Sequence, residues 1–272
     1  GACFDALISA FPGRPLVYIP AYPAMGRTVA GGVLRIDGVP LAQTAFAQDS
    51  RDPARGSVVA DVIALDSRLP VAWIRSAGEL RRRLEIGGEE VLVCDAGTEA
   101  EVAELVAECR DARTAPVVAG PAGGIASWAG DSGAGEVRRA RVEDVDRWLV
   151  VCGSRHPAAR AQMKRARELG IAVFATADSD AGDAEAELDA LVRQAADEAR
   201  RIARTERIGF VIFGGDTVLA VCRAMGVARL APLGELMPGV AVSHAGGCTF
   251  VTVAGGFSAP RMLEELMAAE ER

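Results

Sequence analysis

Three features of this 272-residue chain predict an α/β fold in two parts, each a largely parallel sheet flanked by helices. Short runs rich in Val, Ile and Leu alternate with stretches of helical periodicity, the pattern of sheets covered by helices. Half of the residues are hydrophobic but only 5% are aromatic, so Ala, Val and Leu must build the core, which suits a parallel sheet buried on both faces. Near the middle, residues 129–144 become glycine-rich and then charged. That shift predicts an N-terminal domain over 1–130, a linker over 131–144 and a C-terminal domain over 145–272.

Taken in order, Pro15–Pro20 reads as a strand and is followed by a glycine-rich loop through Gly26 and Gly31–Gly32. Val33–Ile36 follows, ending at an Asp37–Gly38 turn. Val71–Ile74 is strand-like and Ala77–Leu84 fits a short helix. Val91–Asp95 is a buried strand, and Thr98 with Glu101 forms a capping box that opens a helix to about Ala112. Pro116–Ala119 is a further strand, broken by Gly120–Gly124. The second half restarts with the strand Trp148–Cys152 and a Gly153–Ser154 turn. A basic helix follows from about Ala158 to Leu169, then a strand over Ile171–Ala175. A long helix spans about Ala184 to Thr205, with Leu188, Leu191, Val192 and Ala195 on one face. Ile208–Phe213 is a strand, Gly239–His244 and Cys248–Val253 are strand-like, and a final helix starts near Ala259.

Composition excludes several classes. The net charge is −7 and the pI about 5.1, so nucleic acid is not an expected partner. No apolar run reaches the ~18–20 residues of a membrane span, and no signal peptide is visible. The six cysteines form no Cys-x-x-Cys pair and there are only two histidines, which argues against a zinc site. The cysteines read as small buried hydrophobes in a reducing compartment, so a cytoplasmic protein is expected. A homo-oligomer stays open.

Chemistry is concentrated in Ile208–Gly226. A buried strand ends at Gly214–Gly215, Asp216 and Thr217 can cap the helix that follows, and Gly226 closes it. Strand, glycine turn and helix N-terminus bring free N–H groups to one spot, which attracts phosphate. A second glycine turn, Ala254–Ser258, follows about forty residues later. Two such turns suggest a nucleotide, although either could merely turn the chain. Neither ends in Gly-Lys-Ser/Thr, so neither is a P-loop, and no Gly-x-Gly-x-x-Gly with a following acidic residue marks a dinucleotide fold.

The ordered motifs resemble those of the four-carbon acid sugar kinases, which phosphorylate tetronates such as threonate, erythronate or 3-oxo-tetronate with ATP. Ile19–Thr28 (Ile-Pro-Ala-Tyr-Pro-Ala-Met-Gly-Arg-Thr) is similar to the family's Pro-Ala-x-Pro-x-x-Gly-Arg-Thr motif. Val39–Leu41, Asp52–Pro53 and Ser57 resemble the loop after it, and Asp95-Ala-x-Thr98 its Asp-Ala-x-Thr segment. Gly120–Gly123 stands where the family has a Gly-Ser-Gly-like turn. Gly153–Ser154 with Gln162, Gly214–Thr217, Gly234–Gly239 and Ala254–Phe257 resemble the nucleotide-domain motifs.

The resemblance implies a sugar-acid-binding N-terminal domain and an ATP-binding C-terminal domain. Arg27 and Thr28 would bind the substrate. Ser154, Gly214, Gly215, Asp216, Thr217, Gly255 and Gly256 would line the ATP site, with Asp216 helping to hold Mg²⁺ or a ribose, or merely capping its helix; no protein metal site is implied. Four departures stand against it. The family's opening Asp-Asp-x-Thr-Gly-Ala segment is not in this sequence, so the expected catalytic aspartate would lie upstream of Gly1. Val253 takes the place of a common Lys, and Ser258 that of a Gly. The interval from Ser154 to Gly214 is also short. A non-catalytic nucleotide- or sugar-acid-binding protein of the same fold is the second reading.

Overall fold

The computed structural model of the chain describes residues 1–48, 53–130, 140, 142, 145–177, 183–254, 256 and 261–270. It divides into two units, Gly1–Glu136 and Val137–Arg272. Of the linker predicted over 131–144, only Ala140 and Val142 are described. Both are buried in the core of the second unit, and the Ala140 N–H donates to the Glu235 carbonyl at 2.8 Å.

The first unit runs α1 (Ala2–Ala10), β1 (Leu16–Tyr18), β2 (Arg27–Ala30), β3 (Val33–Ile36), β4 (Val39–Pro40), α2 (Val59–Ala64), β5 (Val71–Ile74), α3 (Ala77–Ile86), β6 (Val91–Cys94), α4 (Glu99–Asp111), β7 (Val117–Ala119) and α5 (Ala122–Gly130). Strands β5-β6-β1-β7 form a parallel sheet in that order. Every residue of β6 is buried, as expected for a strand covered on both faces. The capping box is present: Thr98 accepts from the Glu101 N–H, and Glu101 accepts from the Gly97 and Thr98 N–H groups at 2.7 and 3.0 Å.

Two expectations need correction here. The glycine-rich loop after β1 contains a strand, because Gly31 and Gly32, with φ of 65° and 72°, form a two-residue hairpin turn between β2 and β3. Asp37 and Gly38 make a second such turn to β4. The stretch after β7 is also not simply a break, since α5 starts at Ala122 and runs through two glycines. A Cβ on Gly123 would lie 2.7 Å from the Tyr22 ring, so close helix packing outweighs the low helix propensity of glycine.

The second unit runs β8 (Arg147–Cys152), α6 (Pro157–Glu168), β9 (Ala172–Ala175), α7 (Ala184–Ile202), β10 (Ile208–Phe213), α8 (Gly215–Ala224), β11 (Ala231–Met237), β12 (Val240–Ala245), β13 (Cys248–Val253) and α9 (Met262–Glu270). The sheet order is β11-β12-β13-β10-β8-β9. The half formed by β13, β10, β8 and β9 is parallel, while β11 and β12 join it antiparallel. Phe210 and Phe250 stack with ring centroids 5.2 Å apart in the core. Each such fully buried side chain contributes about 1.5–3 kcal/mol. Gly209 lies under Trp148, where a Cβ would meet the ring at 2.5 Å.

Five cysteines are buried and Cys3 is exposed. His244 lies in β12, near its end, and is exposed. No helix among the described residues is long and apolar enough to cross a membrane.

Asp146 and Arg207 clamp the starts of β8 and β10. The Arg207 N–H donates to Asp146 at 2.8 Å, and its Nε and Nη2 each donate at 3.0 Å. These bonds hold the Asp146 carboxyl down at about 2, below its ordinary 3.8. A lowered folded-state pKa means the clamp stabilises fully above 3.8 and is lost as pH falls through about 2. Carboxyl-carbon NMR titration should place the Asp146 midpoint near 2. In urea unfolding, the deficit of Asp146→Asn should be constant above pH ~4 and shrink below it. A deficit that does not change with pH would refute the clamp.

Candidate functional site

In the second unit, Phe213 is in register with Cys152 of β8 and with Val253 of β13, and Cys152 with Ala175 of β9. The turns that follow these strands therefore stand in one row at the C-terminal edge of the sheet, where ligands bind in open α/β folds. Backbone bonds join them. Gly214 donates to the Val253 carbonyl at 2.9 Å, and Thr176 to the Cys152 carbonyl at 3.1 Å. The Gly153 N–H donates to Thr217 Oγ1 at 3.1 Å. Gly214 has φ of 99°, a conformation that favours glycine.

Helix α8 starts at Gly215 with Gly214 as N-cap and no side-chain cap, so its first N–H groups point outward at the row of turns. Helix α6 starts in the same row, with Pro157 at its first position and His156 Nδ1 accepting from the Ala158 N–H at 3.2 Å. The Ser154 hydroxyl accepts from the His156 N–H at 3.3 Å and keeps its own hydrogen to donate. Two helix N-termini give this edge a positive potential suited to an anion.

The residues predicted from sequence divide as follows. Ser154 is half-buried, and Gly214, Gly215 and Asp216 reach the surface of the row. Gly256 lies in the turn after β13, while Gly255 falls outside the described residues, as do Asp52, Phe257 and Ser258. Neither Asp216 nor Thr217 is the N-cap, which is Gly214. Thr217 is buried, its hydroxyl directed at Gly153 rather than at the surface. Glu235, within the Gly234–Gly239 motif, lies in β11.

Sequence reasoning missed Arg155 and Arg160. Arg160 Nη1 donates to the Thr176 carbonyl at 2.6 Å, and Nη2 to Thr176 Oγ1 at 3.1 Å and the Ala177 carbonyl at 3.0 Å. Arg155 pairs with Glu187 of α7 at 3.2 Å, and Glu187 also accepts from the Ala177 N–H. The available signal was position: Arg155 directly follows Ser154, and Arg160 falls in the first turn of α6.

In the first unit, Arg27 opens β2, held by reciprocal backbone bonds with Tyr22 at 2.9 and 3.1 Å. Gly26, with φ of 68°, makes the turn before it, and a Cβ there would collide with Asp37. The guanidinium lies 5.8 Å from the Phe46 ring centroid. Burial pulls its pKa down from the ordinary range, and nearby Tyr18 works against that shift. Arg27 and Thr28 are successive strand residues, so they face opposite sides of β2 and do not form one contact surface.

Asp95, at the end of β6, accepts from the Gly31 and Gly32 N–H groups at 2.8 and 2.9 Å. Val29 and Ala96 exchange backbone bonds at 2.8 and 3.1 Å. The β2–β3 hairpin is thus tied to the C-terminal edge of the parallel sheet. Among the described residues, no group of three or more His, Cys, Asp or Glu could hold a metal ion.

The architecture and its glycine-turn edge define a two-part α/β protein, and comparison with known proteins makes this more specific. Residues 1–128 match the family described as the sugar-binding N-terminal domain. A D-threonate kinase of Bordetella bronchiseptica is 29% identical over 89% of this chain and 67% of its own length. One from Salmonella typhimurium is 30% identical over 72% of this chain and 47% of its own length. The chain thus spans about two thirds of the first relative and about half of the second. A Salmonella typhimurium structure described as a putative tRNA synthase superposes with a TM-score of 0.73 at 20% identity, covering 97% of this chain and 76% of that one. A Haemophilus influenzae protein gives 0.65 at 18% identity, covering 98% and 77%. These two likenesses show the fold. Together the sugar-binding domain match and these kinase relatives support the four-carbon acid sugar kinase family for this chain.

The grip of Asp95 on the hairpin tip is open to direct measurement. In Asp95→Ala, the Gly31 and Gly32 amides should exchange with deuterium about tenfold faster or more, since each loses a charge-assisted bond. The β1 amides should keep their protection. Unchanged exchange at both glycines would remove Asp95 from this role.

Proposed function

We propose that the chain serves the ATP-dependent phosphorylation of a four-carbon sugar acid. In this reading the second unit binds the nucleotide phosphates at the ends of β8, β10 and β13, and the first unit binds the substrate carboxylate through Arg27. The observation that carries it is the alignment of the Gly153–Ser154 turn, the Gly214–Gly215 turn and the end of β13 on one edge with two helix N-termini. Phosphoryl transfer asks mainly for positioning and charge stabilisation. The Gly214–Gly215 backbone and the Ser154 hydroxyl would donate to phosphate oxygens. Asp216, an exposed carboxylate beside the turn, fits Mg²⁺ that arrives with the nucleotide, because this ion takes one or two carboxylates plus phosphate. Arg27 suits a carboxylate because its guanidinium can bind both oxygens.

One observation favours a non-catalytic nucleotide- or sugar-acid-binding protein instead. Val253 ends β13 as a buried apolar side chain, at the position where the resemblance leads one to expect a lysine, so it brings no charge to the phosphates. ADP release on a panel of tetronates separates the readings: turnover supports the kinase, and nucleotide binding without turnover supports the alternative.

Calorimetry tests the binding sites. A Cβ at Gly215 would meet nothing within 4 Å, so Gly215→Val should fold while its side chain covers the helix N-terminus. MgATP affinity should fall about tenfold or more, the loss expected when a charge-assisted bond is removed. Arg27→Ala should weaken tetronate binding by a similar factor and leave ATP binding unchanged. No heat with wild type and MgATP, or equal affinity in Gly215→Val, would defeat the nucleotide site; unchanged tetronate affinity in Arg27→Ala would defeat the carboxylate site.

A further inference from the structure

We propose that Thr217 is a positioning residue of the nucleotide site and makes no ligand contact: its hydroxyl fixes the spacing between the Gly153–Ser154 turn and the first turn of α8. The inference rests on the nucleotide reading above. Thr217 is 2% exposed, too little to present a hydroxyl to a bound molecule. Its Oγ1 accepts from the Gly153 N–H at 3.1 Å, a bond between turns that follow two adjacent strands, β8 and β10.

Sterics hold the same junction. A Cβ on Gly153 would lie 2.6 Å from Thr217 Oγ1 and 2.8 Å from Leu188 Cδ1, and one on Gly214 would lie 3.4 Å from Thr217 Oγ1. The hydroxyl is therefore wedged between two glycine backbones. The Ser154 side of the turn is fixed as well, because Cys152 Sγ donates to the Ser154 carbonyl at 3.3 Å. With both turns locked, the Ser154 turn and the first turn of α8 keep a fixed spacing. A phosphate between them would need both sides at once, whereas the nucleoside would not.

This gives a signature that a purely structural threonine lacks. Thr217→Val keeps the shape and removes only the acceptor, leaving the Gly153 N–H to seek another partner and shift the turn. Thr217→Ser keeps the acceptor. By calorimetry, ATP affinity should fall about tenfold or more in Thr217→Val, with adenosine affinity within about twofold of wild type. Thr217→Ser should bind both ligands within about twofold of wild type. If thermal unfolding shows that Thr217→Val does not fold, Gly153→Ala disturbs the junction from the β8 side and should show the same ATP-selective loss.

A wild type that binds no ATP overturns the nucleotide reading and this inference with it. A wild type that binds ATP while Thr217→Val, or Gly153→Ala in its place, binds equally well overturns the inference alone. Equal losses of ATP and adenosine would reduce Thr217 to a stability residue and also overturn it. So would a loss in Thr217→Ser as large as in Thr217→Val, because the methyl group and not the acceptor would then matter.

Discussion

The second unit depends on the shared direction of β13, β10, β8 and β9, because parallel strands send all their following turns to the same edge. The Gly214 bond to the Val253 carbonyl continues the ladder one residue past β10, so the turn starts flush with its neighbour instead of drifting away. A positive φ at Gly214 then lets α8 begin at once, with its N-terminus at the sheet edge. An L side chain at that position would add strain. The positive potential of the edge thus follows from topology and one backbone conformation, and does not need a lysine.

The first unit meets the same demand differently. Its parallel sheet is narrow, and a three-stranded antiparallel sheet stands at its C-terminal edge through the Val29–Ala96 bridge and the Asp95 carboxylate. A carboxylate that accepts two backbone N–H groups from a tight glycine turn is a firm anchor, since each bond is charge-assisted. The anchored hairpin carries Arg27 at its other end, where partial burial and the Phe46 ring restrict the guanidinium. A restricted arginine loses less entropy on binding than a freely solvated one.

The parts of this fold legible in the sequence share a physical cause. Val91–Cys94, Trp148–Cys152 and Ile208–Phe213 are buried on both faces, so their composition alone marks them as inner parallel strands. The capping box at Thr98 is local chemistry and was equally visible. The misses are tertiary. Strand β2 exists because Gly31 and Gly32 form a hairpin turn that Asp95 grips from 63 or 64 positions away. Helix α5 tolerates its glycines because Tyr22 fills the space beside one of them. The glycine turns of the candidate site were readable as a motif, but the roles of single residues were not. A threonine in the first turn of a helix looks the same in sequence whether it caps, binds a ligand or bonds a neighbouring turn. Only the fold shows Thr217 buried against Gly153, and only the fold shows Arg160 holding Thr176.

The central claim is that one sheet edge of the second unit receives nucleotide phosphates. Amide NMR of the chain titrated with MgATP tests it most directly. The account predicts large, saturable shifts at Gly153, Ser154, Gly214, Gly215 and Gly256, with little change at the opposite edge near Asp146 and Arg207. Shifts confined to other residues, or none at saturating nucleotide, would contradict it.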